Sequence, residues 1–113
     1  ALASDNVRDA FYAYGDLDVP GLFRDALRML QLDHPVGEWP GAVTRTAADL
    51  IGRPDLGRLN DGGPADLILF NARNWSEFAA RPQSDRVVLR RGAARDTTPP
   101  EFPDLDDLKG MTA

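Results

Sequence analysis

The hydrophobic period changes once along this chain, at Asp61, and that change limits the folds open to it. Before it, Leu22, Phe23, Ala26, Leu27 and Leu30 recur at helical spacing, with Arg24, Asp25, Arg28 and Gln31 on the opposite side. After it, Leu67 to Phe70 and Val87 to Leu89 are short apolar runs bounded by turn formers, the pattern of strands. The chain therefore divides into a mainly helical part, residues 1–60, and a strand-rich part, residues 61–113, in the α/β class.

Local signals fill in the elements. Ala1 to Ser4 reads as the end of a strand that opens into a polar loop. A strand of a parallel sheet needs neighbours, and the helical stretch that follows offers none. A helix should start after Asp16 or Asp18, with Pro20 tolerated in its first turn, and stop at His34-Pro35. Trp39 to Val43 predicts a second short helix. Thr46 to Asp49 has the form of a capping box opening a third, closed by Gly52. In the second part, Gly62-Gly63-Pro64 marks a turn, and Asn74 with Glu77 opens a helical turn through Ala80. Arg91-Gly92 predicts a hairpin turn between Val87–Leu89 and a return strand over Ala93 to Asp96. From Thr97, with Pro99, Pro100 and Pro103, the tail is expected to lie irregularly along the surface.

Composition excludes several functions. The formal net charge is −5, and no basic run exceeds Arg90-Arg91. Nucleic-acid binding needs a basic surface, so it is not expected. There is no cysteine, which removes disulfides and thiolate metal ligands and fits a cytoplasmic setting. No apolar run is long enough to span a bilayer. The one histidine, His34, precedes a proline at a helix end and reads as structural. Trp39 and Trp75 read as packing residues. A start at Ala1 inside an apolar segment leads to the expectation of a fragment or a processed subunit.

The candidate site is the stretch Ala3 to Gly15. Within Ser4 to Tyr14 it holds Asp5, Asn6 and Asp9 together with Phe11, Tyr12 and Tyr14. A buried strand does not tolerate unpaired carboxylates, and a solvated linker does not need the aromatics. A loop at the mouth of a pocket uses both. From the residues alone, Asp5 is either a turn-forming aspartate or a catalytic acid-base. Asn6 either stabilises the loop or hydrogen-bonds a ring edge. Phe11 is either a core aromatic or a wall against a flat substrate. Asp9 is expected to order the loop by pairing with Arg8.

Ser4-Asp5-Asn6-Val7-Arg8-Asp9, Phe11-Tyr12 and Tyr14-Gly15-Asp16 together resemble the last barrel strand and following loop of cytosine-deaminase-like members of the amidohydrolase superfamily. Gly57-Arg58-Leu59, the run Ala65-Asp66-Leu67-Ile68-Leu69-Phe70 and the closing Arg86 to Gly92 are similar to that family's exit from the barrel into a small β-sandwich. Ala10 and Ala13 stand where the family motif commonly has proline. The resemblance implies the C-terminal part of a metal-dependent hydrolase (β/α)8 TIM barrel plus part of a small β-sandwich. It implies hydrolytic deamination of an N-heterocycle such as cytosine by metal-activated water. It implies one divalent metal ion, iron or zinc, with Asp5 facing the metal and carrying protons. Asn6 and Phe11 would face the substrate ring, and Asp66 would order the lead-in to the sandwich. The metal histidines would lie on a companion chain or N-terminal part carrying the rest of the barrel. Other outcomes stay open: a hydrolase of cyclic amides or aminotriazines, a non-enzymatic α/β interaction module, and a homo-oligomer of either.

Overall fold

In the computed structural model, which describes residues 1–106, 108 and 110, three helices precede the first strand, which begins at Leu67. Helix α1 spans Val19–Met29, a 3₁₀ helix spans Val36–Val43, and α2 spans Arg45–Leu50. Then follow β1 (Leu67–Leu69), α3 (Trp75–Ala80), β2 (Val87–Arg90), β3 (Ala93–Ala94) and α4 (Phe102–Asp106).

Helix α1 buries Phe23, Ala26 and Leu27, the centre of its predicted apolar stripe, and leaves Leu30 exposed. It ends at Met29, earlier than His34-Pro35 predicts. Gln31 takes a positive φ of 55°, and the Leu32 N–H bonds back to the Leu27 carbonyl at 3.1 Å. This is a Schellman closure, with Leu32 packed against the core as its hydrophobic partner. Helix α2 closes the same way and here the expected glycine is used. Gly52, at φ +74°, donates to the Asp49 carbonyl at 3.0 Å, and Arg53 donates to Ala48 at 2.9 Å.

The capping box at Thr46 does not form. The helix starts at Arg45, and the preceding Thr44 turns its hydroxyl back to the Pro40 carbonyl at 2.9 Å. The Asn74 cap does form: its Oδ1 accepts from the Glu77 N–H at 2.9 Å. Glu77 then reaches the Arg73 N–H at 2.8 Å, one residue before the cap.

The sheet is antiparallel in the order β1-β2-β3, with Leu67 opposite Leu89 and Leu69 opposite Val87. Arg91 (φ 52°) and Gly92 (φ 78°) make the two-residue turn between β2 and β3. Two positive φ values match the twist of the strands they join. Asp66 fastens this hairpin, accepting from the Arg91 N–H at 2.9 Å and from Arg90 Nη1 at 3.0 Å.

Two further segments differ from expectation. Ala1–Ser4 is not a strand; it joins the rest through the Leu2 N–H, which bonds to the Ala42 carbonyl at 3.0 Å, and through the Leu2 side chain packed against the core. No strand of the described residues lies beside it, and a lone extended segment has no ladder to join. The tail does build a helix, α4, because Pro103 falls in its first turn, where no intrahelical N–H is needed. The remaining tail positions 107, 109 and 111–113 lie outside the described residues.

The core gathers where the two parts meet. Phe78 from α3 packs on Phe23 of α1 (ring centroids 6.1 Å apart), on Phe70 (4.9 Å) and on Trp75 (5.8 Å). Its edge-to-face partners are the arrangement aromatic quadrupoles favour. Arg86 of the second part pairs with Asp18, the residue at the start of α1, at 2.7 Å.

Candidate functional site

The loop Ser4 to Asp16 is built by its own backbone. The Asn6 N–H bonds to the Ser4 carbonyl at 2.9 Å, with Asp5 between them at φ +64°. That is a γ-turn of the positive-φ kind, which is rare and strained for a residue with a side chain. Arg8, at φ 48°, donates its N–H to the Tyr14 carbonyl at 3.0 Å and its Nε to the Gly15 carbonyl at 3.0 Å. The Asp9 carboxylate accepts from the N–H groups of Phe11 (2.8 Å) and Tyr12 (3.0 Å). Asp9 thus orders the loop, but through backbone donors. Arg8 pairs instead with Asp16, at 3.6 Å.

The loop and α1 together wall a groove of about 620 Å³. Asn6 and Phe11 line it, with Tyr12 and Asp16 from the loop and Asp25 and Met29 from α1. A volume of this size suits a small organic ligand. Phe11 is 90 % exposed, so it is no core aromatic; it stands at the loop tip as an uncovered ring. Tyr12 packs edge-on against Tyr14, with ring centroids 5.7 Å apart.

Asp5 is placed differently. Ser4 and Asn6 on either side line the groove, but Asp5 does not, and its side chain is exposed. The structure therefore brings Asn6 and Phe11 together and leaves Asp5 outside their groove. Tyr12 belongs to the stretch singled out in the sequence, whereas Asp25 and Met29 are lining residues that sequence reasoning did not pick out. Leu22, Asp25 and Met29 follow one another at helical spacing beside the buried stripe, a signal that could have found the last two.

Among the described residues, no three His, Cys, Asp or Glu side chains converge as a metal site requires. Asp5 is a single carboxylate, so the described residues do not by themselves fit a divalent ion. Among the described residues, no helix is long and apolar enough to cross a membrane.

No protein-family model matches the chain. No solved structure matches it either. A curated protein of Rhizobium rhizogenes, named pterin deaminase, is 57 % identical to it over 110 residues. That match takes in 97 % of this chain and 25 % of the relative, so the chain spans a quarter of the relative's length.

Proposed function

We propose that this chain is the C-terminal part of a hydrolase that removes an exocyclic amino group from an aromatic N-heterocycle, and that the heterocycle is a pterin. The observation that carries the reading is the 57 % identity, over nearly the whole chain, to a protein named pterin deaminase. The resemblance of the Asp5 loop to the cytosine-deaminase-like family supports the same reaction class, and the name of the relative moves the proposed substrate from one ring to two.

In such a reaction, water adds to the ring carbon that bears the amino group. The carbon–nitrogen bond breaks, ammonia leaves, and a ring carbonyl remains. Asp5 has the chemistry for the proton traffic: a carboxylate takes a proton from the attacking water and returns it to the departing nitrogen. Because Asp5 lies outside the groove of Asn6 and Phe11, the ring would have to extend past that groove to reach it, and its exposure leaves it free to face residues outside this chain. The divalent ion that the resemblance implies, iron or zinc, would have to be held largely by such residues. Asn6 would read a ring edge with its amide, and Phe11 would lie against the ring face.

The test uses the complete polypeptide with pterin, cytosine and an aminotriazine, following ammonia release and the ultraviolet spectrum. Pterin should be turned over, with kcat/KM roughly tenfold or more above the other two. Preference for cytosine would contradict the substrate assignment. No ammonia from any of the three would contradict the reaction class.

A further inference from the structure

A small cavity of about 20 Å³ lies between the start of α1 and the turn that follows α3. Asp18, Gly21 and Arg24 line it from one side, and Phe78, Arg81 and Gln83 from the other. Two polar atoms of these residues, Arg24 Nε and Gln83 Oε1, are buried without a hydrogen-bond partner among the described residues. Gln83 is only 5 % exposed. Native proteins rarely leave such atoms unpaired.

The orientation of the Gln83 amide is fixed by its surroundings. Its Nε2 donates to the Phe78 carbonyl at 3.0 Å and lies 3.3 Å from the Glu77 carbonyl and 3.5 Å from that of Arg81. Turning the amide over would set Oε1 against three carbonyl oxygens, none of which can donate. The acceptor is therefore the atom left over, and the donor left over is Arg24 Nε.

We propose that this cavity is a binding site for one ordered water molecule, which accepts from Arg24 Nε–H and donates to Gln83 Oε1. The volume exceeds the roughly 10–15 Å³ that a water needs and is too small for any organic ligand. The donor set also selects water. An anion would face the Gln83 oxygen and the Asp18 carboxylate. A cation would face the guanidinium groups of Arg24 and Arg81. Only a neutral molecule that both donates and accepts satisfies the two orphaned atoms. The second proton of the water has the Asp18 carboxylate, which also lines the cavity. The water would bridge the two parts of the chain beside the Asp18–Arg86 pair and so fix the start of α1, a wall of the larger groove.

The direct test is a high-resolution crystal structure of the complete polypeptide. One solvent peak within hydrogen-bond distance of both Arg24 Nε and Gln83 Oε1 is the expected result. A dry cavity, or one filled by a side chain from the rest of the polypeptide, overturns the proposal. Thermal unfolding of Arg24→Met, Gln83→Leu and the double variant gives a second reading. If one water joins the two side chains, the double variant should lose little more in Tm than the worse single variant. Losses that simply add would overturn the bridge. Should a variant fail to fold, the crystal structure of the unsubstituted protein still decides.

Discussion

Replacing Gly57 with alanine should impose two separable costs on the junction between the two parts. Gly57 has φ +68°, where a side chain costs about 1–2 kcal/mol. An added Cβ would also lie 2.6 Å from both the carbonyl carbon and oxygen of Thr44, and 2.9 Å from the Arg45 nitrogen. These are backbone atoms at the start of α2 and cannot swing aside as a side chain would. Overpacking of this kind costs about 1–3 kcal/mol. Alanine returns about 0.4–1 kcal/mol by restricting the unfolded chain. The net loss is about 1–5 kcal/mol on these contributions. Gly52 is the control: its φ is +74°, but nothing lies within 4 Å of an added Cβ. Gly52→Ala pays the backbone cost alone. The assay is amide hydrogen exchange at Ala48, whose N–H bonds to the Thr44 carbonyl at 2.9 Å, measured in the complete polypeptide. Gly57→Ala should speed exchange there roughly 5–150-fold more than Gly52→Ala. Equal effects would refute the claim that the Gly57 turn packs against the backbone of α2.

Other parts of the account are open to separate measurements. Phe78→Ala removes the ring on which Phe23, Phe70 and Trp75 converge and should cost about 3–5 kcal/mol in urea unfolding; a loss below about 1 kcal/mol would contradict its central place. Arg81 donates to both oxygens of Asp85, and Asn71 adds a third bond, which together lower the Asp85 pKa from 3.8 to about 2. A folded-state pKa below the unfolded one adds stability that is present above pH 3.8 and lost as pH falls through about 2. A carboxylate-resolved NMR titration of Asp85 with a midpoint near 3.8 would contradict the clamp. Asn6→Ala and Phe11→Ala should change the preference between pterin and cytosine more than the metal content of the complete protein. A lost metal with an unchanged preference would count against their placement on the ring.

What the sequence made legible were features whose cause is local. Arg91-Gly92 announces a turn with two positive φ values, and the hairpin follows. Asn74 precedes a helix with Glu77 in reach, and its cap forms. Gly52 closes α2 because a left-handed residue is needed there. What stayed hidden depends on partners. Ala1–Ser4 looks like a strand because it is apolar, but a strand exists only against an edge, and none lies beside it among the described residues. Gln31 carries no mark of a left-handed cap; Leu32 reaching the core is what selects it. Pro103 signals a break only until its position in the first turn of α4 is known. In the site, the loop's polar and aromatic mixture was legible. The separation of Asp5 from the groove of Asn6 and Phe11 was not, since it depends on which way a single γ-turn directs one side chain.

The central claim, that Asp5 carries protons in a hydrolytic deamination, is tested most directly by Asp5→Asn in the complete polypeptide. Asparagine keeps the size of the side chain and tolerates the positive φ at this position, so the turn should persist. It cannot take a proton from water. Steady-state kcat for pterin should fall roughly 10²–10⁴-fold, while pterin binding measured at equilibrium stays near that of the unsubstituted protein. A kcat that remains within a few-fold, with binding intact, would contradict the account.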